Sequence, residues 1–452
     1  MRADVVVIGL GPGGEEVAER LADAGVDVVG VEAHLVGGEC PYYACIPTKM
    51  MVRASGLLTE ARRVPGMAGD VSVSADWSPV ARRIRDEATD DWDDRAAVRR
   101  LESKGGRFVR ARARLDGPRR VIAGDEVIDV ERALVVATGT RPGIPPIPGL
   151  DTVEYWTNRD AVKATAVPHS MVVVGGGVVG CELAQTFARF GSRVAIVEGG
   201  RHLLANEEPE ACQLLHEVFG REGIDVRTGA SATGVRRDGD GVVVTLDDGS
   251  EVTGERLLVA TGRVADLDAI NAASLGIPPE ARFLPVDGQL RVRGADGVWA
   301  IGDVTGGAFT HVAVHQARLV VAQLVGEEAP PFEDHAIPRV TFTDPEVGAV
   351  GLTERTARER GIDVRTGMAS IPDSSRGWIH KVGNDGFIKV VEDRARGVLV
   401  GGSSVGPCGG EVLSMLTVAV QARVPTAVLR RVIGAYPTFQ RAVSDALADL
   451  AA

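Results

Sequence analysis

Short apolar runs, each followed by glycines and then by an amphipathic stretch, organise the first two-thirds of the chain. Residues 5–8 form an apolar run that leads into glycines at 9–14, a helical pattern and a second apolar strand. Residues 171–174 lead in the same way into glycines at 175–180, a helical pattern and a strand. Strand, turn, helix and strand in this order are typical of a parallel α/β sheet. The pattern therefore predicts one βαβ module used twice.

Both modules carry the spacing Gly-x-Gly-x-x-Gly, and an acidic residue follows the third glycine at the same distance in each. In a dinucleotide-binding fold the first glycine makes the tight turn and the second lets the pyrophosphate approach the backbone. The third allows close packing of helix on strand, and the acid accepts the ribose hydroxyls. Turn glycines without a ligand are the alternative, which two matched copies disfavour. The residues are Gly9, Gly11, Gly14 and Glu32 in the first copy, and Gly175, Gly177, Gly180 and Glu198 in the second.

The remaining pattern marks the ends of these modules. Each half closes on a strand that ends in Ala-Thr-Gly, at 137–139 and at 260–262, and prolines between 142 and 148 predict a stiff linker. The chain then returns to the first module with a strand at 298–303, whose terminal Asp303 can reach a polyol chain or can simply end a strand.

After Pro338, alternating strands at 339–342 and 386–391 give way to helical patterns near 409–422 and 437–450, which predicts an α+β domain. The predicted fold class is α/β, with two Rossmann-like dinucleotide-binding domains and a C-terminal α+β domain. The predicted boundaries are 1–150 for the first nucleotide domain, 151–264 for the second, 265–335 for the return to the first, and 336–452 for the last.

Composition and charge narrow the class of partner. The chain has 452 residues and a net charge of −12, which argues against a nucleic-acid surface or an anionic membrane surface. Five cysteines are an odd number and do not form the framework of a secreted disulfide protein. The sequence shows neither an apolar signal segment nor an apolar run long enough to span a membrane. We therefore expect a soluble, cytoplasmic enzyme that acts on a small molecule.

Two cysteines, Cys40 and Cys45, follow the first glycine motif in the segment 37–49. A pair this close, followed by a proline and a helical pattern, can close into a small disulfide ring. Near a helix start, the macrodipole and the free backbone N–H groups favour a thiolate over a thiol. Two cysteines packed in a core are the alternative, which their position directly after a dinucleotide unit disfavours. Cys181, Cys212 and Cys408 are predicted to be packing residues.

With both nucleotide motifs, the Cys-x4-Cys segment and Gly302-Asp303, the chain resembles the FAD-dependent pyridine nucleotide-disulfide oxidoreductases. This family includes dihydrolipoamide dehydrogenase, glutathione reductase, mycothione reductase and mercuric reductase. The resemblance covers essentially the whole chain, and segments 342–348 and 405–407 look like the family's dimerisation domain. It implies a homodimer whose active site is shared between subunits, with FAD and NAD(P)H as cofactors.

The resemblance also implies roles for single residues. Cys45 would be the thiolate against the flavin, and Cys40 the outer thiol that exchanges with substrate. Lys49 and Glu182 match the family's ion pair beside the flavin, although such a pair can also be purely structural. The residues implied to contact FAD are Gly9, Gly11, Gly14, Glu32, Gly38, Lys49, Thr138, Gly139, Asp303 and Ala313, and those implied to contact the nicotinamide dinucleotide are Gly175, Gly177, Gly180, Glu198 and Gly262.

Glu198 favours NADH, because a carboxylate accepts hydrogen bonds from a 2′-hydroxyl and repels a 2′-phosphate. Arg201 lies close by in sequence, so NADPH stays open. No metal site is expected, since His311 and His315, although four residues apart, lie where the family packs a helix against the flavin.

The pattern breaks near the C-terminus. Disulfide reductases of the family usually end in His-Pro-Thr-x-x-Glu, whose His is the acid/base for the thiols, and here the segment reads Tyr436-Pro437-Thr438-Phe439-Gln440-Arg441. Tyrosine titrates near pH ~10 and histidine near ~6.5, so Tyr436 is a poor base at neutral pH. An aromatic residue that fills a dimer interface is the alternative. The change disfavours a dihydrolipoamide dehydrogenase, and a mercuric reductase would also need a C-terminal cysteine pair that this sequence does not show.

Three functions remain. The first is an oxidoreductase that passes electrons from NAD(P)H through FAD to a Cys40–Cys45 disulfide and on to an unidentified acceptor, an atypical disulfide or related small molecule. The second is a diaphorase-type reductase of quinones or metal ions, or a tailoring oxidase of small thiols. The third is a nucleotide-binding redox sensor without catalysis, which the presence of Lys49, Glu182 and both cysteines disfavours.

Overall fold

The computed structural model describes residues 1–450, and its chain forms two compact units. The first unit contains residues 1–47, 81–143 and 262–333, and the second contains 48–80, 144–261 and the chain from 334 onward. The helices Cys45–Arg62 and Ser78–Arg83 each include a boundary between these segments. The four predicted domain boundaries stay a prediction, and residues 451 and 452 of the last predicted domain lie outside the described residues.

The first unit is built on a seven-stranded sheet. Its central strand Arg2–Ile8 pairs in parallel with Val28–Glu32 on one side and with Glu126–Val136 on the other, so that Val7 lies opposite both Gly30 and Val135. Arg107–Arg110 pairs in parallel with Val28–Glu32, and Val298–Ala300 pairs in parallel with Glu126–Val136. Arg120–Ala123 pairs antiparallel with Glu126–Val136 on one side and with Ala113–Leu115 on the other. A separate antiparallel pair joins Arg141–Pro142 to Arg263–Val264.

Both faces of this sheet are covered, as continuous apolar runs require. Along the central strand, Val5 and Val7 pack into one apolar cluster, and Val6 and Ile8 pack into another, because successive side chains of a strand point to opposite faces. The helices of this unit are Pro12–Asp23, Glu39–Tyr42, Arg95–Ser103 and Thr310–Val325, with a π-helix at Ile84–Ala88 and 3₁₀ turns at Ala272–Leu275 and Gly302–Thr305.

The second unit contains the second βαβ module. Its four parallel strands are ordered Asp225–Thr228, Arg193–Glu198, Ser170–Val174 and Arg256–Val259. An antiparallel meander of Ala232–Asp238, Gly241–Leu246 and Glu251–Gly254 packs in the same apolar cluster as this sheet. The helices here are Asn158–Ala161, Val178–Arg189 and Pro209–Arg221, with a 3₁₀ turn at Leu150–Thr152.

The same unit contains a five-stranded antiparallel sheet, ordered Pro338–Thr341, Glu346–Gly351, Val398–Gly406, Phe387–Asp393 and Val364–Ser370. The helices Gly409–Gln421 and Arg441–Asp449 cover one face of it and share its core, and the short helices are Glu354–Glu359, Ser375–His380 and Thr426–Leu429. The predicted α/β class with a C-terminal α+β portion is confirmed. None of the helices in the described part of the chain is both long and apolar enough for a bilayer crossing.

Candidate active site

The first glycine loop has the geometry that a bound pyrophosphate needs. Gly9 adopts φ +85°, and a Cβ atom built there would lie 2.6 Å from the carbonyl oxygen of Ala137. A Cβ atom at Gly14 would lie 1.9 Å from the carbonyl oxygen of Gly9, so the helix Pro12–Asp23 packs against the strand only because residue 14 is a glycine. A Cβ atom at Gly11 would meet nothing within 4 Å and would project into open space.

The second loop repeats this geometry. A Cβ atom at Gly175 would lie 2.3 Å from the carbonyl oxygen of Ala260, and one at Gly180 would lie 2.0 Å from the carbonyl oxygen of Gly175. Gly177 again faces open space. The internal repeat predicted from the sequence is therefore present at the level of single contacts.

The acidic residue of each module is held in the same way. Glu32 accepts hydrogen bonds from the backbone N–H of Leu10 at 2.8 Å and of His34 at 2.7 Å. Glu198 accepts hydrogen bonds from the corresponding N–H groups of Gly176 and Gly200, both at 2.6 Å. Each carboxylate is thus fixed at the end of its strand, where ribose hydroxyls would lie in a dinucleotide complex.

Both glycine loops fit a dinucleotide. The helices Pro12–Asp23 and Val178–Arg189 begin at the open positions Gly11 and Gly177, and neither helix start is capped by a side chain. Uncapped N–H groups at a helix N-terminus bind phosphate and favour negative charge. A side chain at either glycine would fill this open space, so each loop leaves room for a pyrophosphate that backbone N–H groups would hold.

The predicted polyol-binding Asp303 lies in a polar cluster of the first unit. Its carboxylate accepts a hydrogen bond from the hydroxyl of Thr140 at 2.8 Å, and Arg263 donates to the same hydroxyl at 2.8 Å and to the Thr140 carbonyl at 2.6 Å. The strand before Asp303 ends at Ala300, three residues earlier than predicted, and a 3₁₀ turn presents the carboxylate. Sequence reasoning missed Thr140 and Arg263, which follow no glycine motif.

The other residues implied to contact FAD or the dinucleotide shape the backbone. Gly38 has φ +67°, and a Cβ atom there would lie 2.8 Å from the Cα atom of Gly11. Ala313 is buried, and its side chain lies 3.2 Å from the Cβ position of Gly13. In the first Ala-Thr-Gly turn, the Cα atom of Thr138 lies 2.8 Å from the Cβ position of Gly9. Gly139 and Gly262 both have positive φ, and a Cβ atom built at either would meet nothing within 4 Å.

Cys40 and Cys45 lie on two consecutive helices of the cysteine loop, which we define as residues 36–45. Cys40 is in the short helix Glu39–Tyr42, and Cys45 is the first residue of the 18-residue helix Cys45–Arg62. Both side chains are half-buried, and the Sγ atom of Cys45 lies 3.4 Å from the hydroxyl of Thr310. A sulfur at the N-terminus of a long helix lies in the positive field that stabilises a thiolate.

Lys49 follows Cys45 on the same helix and forms an ion pair with Glu182. The Nζ atom donates to both carboxylate oxygens, at 3.0 and 2.7 Å. The side chain of Glu182 is 3% exposed and that of Lys49 is 34% exposed, so the carboxylate is the buried end of the pair. Glu182 also accepts a hydrogen bond from the backbone N–H of Phe342 at 2.8 Å, and the ammonium group lies 4.8 Å from the centre of the Phe342 ring.

Tyr436 is 73% exposed, so it does not fill the core of its own subunit. Arg441, which stands where the family has a glutamate, begins the helix Arg441–Asp449 and pairs with Asp445 at 2.9 Å. Between them, Phe439 packs edge-to-face with His380, at 5.5 Å between ring centres, and lies 5.4 Å from the guanidinium of Arg376. Sequence reasoning missed His380 and Arg376, because a separate helix brings them to this segment.

The remaining cysteines differ from one another. Cys181 and Cys212 are buried, as predicted for packing residues, and burial raises the pKa of both thiols, that of Cys212 to about 11. Cys408 is exposed, so its predicted packing role is wrong. It follows the central strand Val398–Gly406 of the five-stranded sheet and precedes the helix Gly409–Gln421, in a left-handed turn with φ +56°. Among residues 1–450, no three His, Cys, Asp or Glu side chains form a group that could hold a metal ion.

Comparison with known proteins gives matches along nearly the whole chain. Residues 3–317 match the pyridine nucleotide-disulphide oxidoreductase family, and residues 337–447 match the dimerisation domain of that family. The chain is 34% identical to a dihydrolipoyl dehydrogenase of Haloferax volcanii, over 98% of this chain and 95% of that protein. It is 32% identical to a mercuric reductase of Streptomyces lividans, over 97% of this chain and 94% of the relative.

Solved structures give the same result. LpdA from Mycobacterium tuberculosis superposes with a TM-score of 0.86 at 28% identity and covers 100% of this chain and 99% of its own. A Cu(II) complex of the HOCl-induced flavoprotein disulfide reductase RclA from Escherichia coli superposes with a TM-score of 0.87 at 25% identity, with 99% of each chain covered. The dimerisation domain indicates a homodimer. The chain belongs to the pyridine nucleotide-disulphide oxidoreductase family, whose members use FAD and NAD(P)H and act on sulfur groups.

Proposed function

We propose that this protein passes electrons from NAD(P)H through FAD to a Cys40–Cys45 disulfide, and from there to an acceptor other than the usual small disulfides. The observation that carries the proposal is the helix Cys45–Arg62, which begins at one cysteine and carries Lys49, in its ion pair with Glu182, one turn later. A structural pair of free core cysteines would need neither a helix start nor a charged group beside it.

Separate sets of residues would bind FAD and NAD(P)H in this proposal. FAD, when bound, takes two electrons from NAD(P)H and gives them to the disulfide. The N–H groups at Gly11 and Gly177 would hold the two pyrophosphates, and Asp303 would hold the polyol chain of FAD. Lys49 places a positive charge near the redox centre, and Glu182 keeps that charge in position.

The nicotinamide substrate in this proposal is NADH. Both oxygens of Glu198 accept backbone N–H groups, so the carboxylate is held in one orientation at the strand end. A 2′-phosphate would bring further negative charge against it. Arg201 could offset this repulsion, but within residues 1–450 the hydrogen bonds of the Glu198 carboxylate come from the N–H groups of Gly176 and Gly200.

The acceptor must need little proton transfer from the protein. Reduction of a disulfide to two thiols takes up two electrons and two protons, and the usual histidine supplies this proton transfer. Tyr436 stands in its place, and Arg441, which stands where the family has a glutamate, pairs with Asp445. An exposed phenol without a cationic partner donates a hydrogen bond or shields a site more readily than it takes up a proton at neutral pH.

A second candidate, favoured by the same Tyr436, is a reductase of metal ions or quinones. Two similar proteins are named a mercuric reductase and a Cu(II) complex of a disulfide reductase, and neither substrate class needs a histidine to protonate a leaving thiolate. In this candidate the flavin reduces the acceptor, and the disulfide is secondary.

Anaerobic titration with NADH tests the proposal. The FAD-loaded wild type should develop a long-wavelength absorbance from the Cys45 thiolate beside the flavin after two electrons, and Cys45→Ser should abolish it. Cys408→Ser is the matched control, because it removes an exposed thiol without touching the loop. Absence of the band from wild type would refute the proposal, and full turnover with a quinone in Cys40→Ser would establish the second candidate. Tyr436→His should raise turnover with small disulfides if proton transfer is what the site lacks.

A further inference from the structure

A strained segment of the first unit contacts the cysteine loop at two points. This segment, which we call the left-handed strap, comprises residues 89–94 and follows the π-helix Ile84–Ala88. Three consecutive non-glycine residues of the strap have positive φ: Asp90 at 46°, Asp91 at 54° and Trp92 at 58°. Left-handed residues other than glycine are uncommon singly, and bulky ones are outliers. Such a run persists only where the surrounding structure enforces it.

Hydrogen bonds around Thr89 enforce this conformation. The buried Thr89 donates from its hydroxyl to the carbonyl of Arg85 at 3.1 Å, and the same hydroxyl accepts the N–H of Trp92 at 3.3 Å. The N–H of Asp91 donates to the Arg85 carbonyl at 2.7 Å, and the N–H of Asp93 donates to the Thr89 carbonyl at 3.1 Å. The strap is therefore a fixed structure and not a loose turn.

The strap holds the cysteine loop from one side. The indole Nε1 of Trp92 donates a hydrogen bond at 3.2 Å to the carbonyl of Tyr42, which lies between Cys40 and Cys45. The buried carboxylate of Asp94 accepts the N–H of Val36 at 2.6 Å, at the start of the loop. The cysteine loop is thus bound at Val36 and at Tyr42 by two residues of one strained segment.

The first glycine loop holds the cysteine loop from another side. The N–H of Gly37 donates to the carbonyl of Leu10 at 2.6 Å, and Gly38 approaches Gly11 so closely that no side chain fits. The ring of Tyr42 is buried, and its pKa is raised to about 12, first by burial and then by the charge of Asp94. The phenol is therefore uncharged and packs in the interior, and the strap binds the backbone of Tyr42 through its carbonyl.

We propose that Trp92 is a positioning residue for the redox pair: its indole N–H fixes the backbone between Cys40 and Cys45 and so sets the reduction potential of the pair. The inference rests on the proposed function, because it assumes that these two cysteines form a disulfide. The reduced loop is a longer open segment, whereas the disulfide ring already restricts it. Releasing the Tyr42 carbonyl therefore gives more conformational freedom to the dithiol than to the disulfide, and the disulfide becomes easier to reduce.

Trp92→Phe tests the inference, because it keeps an aromatic ring and removes the N–H donor. Trp299→Phe is the matched control: Trp299 is also half-buried in the first unit, and its Nε1 donates at 3.3 Å to the side-chain oxygen of Gln323, near the C-terminal end of the helix Thr310–Val325 and outside the cysteine loop. The full FAD-loaded chain of each variant is equilibrated in dithiothreitol buffers of graded ratio. The state of Cys40 and Cys45 is then read by thiol alkylation and peptide mass spectrometry.

The equilibrium constant for reduction should rise about threefold to tenfold in Trp92→Phe, the upper value corresponding to a potential about 30 mV less negative, and should not change in Trp299→Phe. Hydrogen exchange of the backbone amides between residues 39 and 45 should become faster in Trp92→Phe and should not change in Trp299→Phe. Equal potentials in wild type and Trp92→Phe would overturn the inference, as would an equal shift in Trp299→Phe.

The proposed function is judged separately, by the long-wavelength band of the wild type. If that band is absent while the pair still oxidises, the proposed function fails and the potentials still decide the role of Trp92. If the pair never forms a disulfide in any buffer, both fail together. If wild type shows the band and Trp92→Phe has the same reduction potential as wild type, the proposed function is supported and the positioning role of Trp92 is refuted.

Discussion

The ion pair between Lys49 and Glu182 predicts unequal effects of removing its two ends. Glu182 is almost fully buried, while Lys49 is about a third exposed and can reach water. Lys49→Met keeps an aliphatic side chain of similar length but leaves a buried carboxylate that still accepts the Phe342 N–H. Orphaning a buried charge costs about 3–5 kcal/mol, and this hydrogen bond places the expected loss at the lower end, about 3 kcal/mol.

Glu182→Gln should cost less. The amide oxygen of glutamine can still accept from the Phe342 N–H and from the Lys49 ammonium, and the cation left behind is hydrated. The loss should be about 1 kcal/mol, the value of a partly exposed pair. The double variant should lose about as much as Glu182→Gln alone, because the second change removes the orphaned charge that made the first one costly.

Urea denaturation of all four proteins at one saturating FAD concentration measures these differences, with the slope of the transition checked for constancy. Arg236→Met is the control, since its pair with Glu251 is about half exposed at both ends and should contribute under about 1 kcal/mol. Equal losses for Lys49→Met and Glu182→Gln, or additivity in the double variant, would refute the reasoning.

Two further predictions concern the glycine loops. Gly11→Ala should lose FAD during purification, because its new methyl group would enter the open space proposed for the pyrophosphate, while its FAD-free chain should unfold at the same temperature as FAD-free wild type. Gly14→Ala should fail to fold stably, because its methyl group would lie 1.9 Å from the carbonyl oxygen of Gly9. Flavin absorbance per chain and calorimetry of the FAD-free proteins measure both, and a flavin-replete Gly11→Ala would contradict the assignment. Glu198→Gln should weaken the preference for NADH over NADPH by about tenfold in kcat/KM, which is about 1.4 kcal/mol of lost repulsion, and an unchanged ratio would show that the carboxylate does not face the 2′ position.

The parts of this protein that follow from local pattern are the ones that the sequence predicted. The strand, glycine and acid spacing of each module depends on contacts within about thirty residues of chain, and the structure repeats those contacts from Gly9 to Glu32 and from Gly175 to Glu198. The helix predicted near 437 begins later, at Arg441, because the segment before it forms tight turns, in which the carbonyls of Phe439 and Gln440 accept N–H groups three residues on.

Contacts between distant segments could not be predicted in this way. The hydrogen bond of Trp92 to the Tyr42 carbonyl joins residues fifty apart, and nothing in the sequence around Trp92 marks it as part of a site. The same applies to Arg263, which reaches Thr140 across the sheet pair of Arg141–Pro142 and Arg263–Val264. Such contacts follow from topology, and topology is set by the whole chain. The packing role predicted for Cys408 was wrong for a related reason, since the exposure of this residue depends on a left-handed turn that residue types alone do not predict.

The two departures at the C-terminal motif are best understood as a single change. In the family pattern the glutamate orients the histidine, and a histidine that no longer exists needs no such partner. Arg441 accordingly pairs with Asp445, one turn further along its own helix, in an exposed contact that is worth only about 0.3–0.5 kcal/mol and fixes nothing at the motif. By contrast, the acidic residues proposed to hold the two cofactors, Glu32, Glu198 and Asp303, are all held by specific hydrogen bonds. The contacts proposed for electron donation are therefore intact in this chain, whereas the motif for proton transfer is altered, and proton transfer is the part of the reaction that depends on the identity of the acceptor.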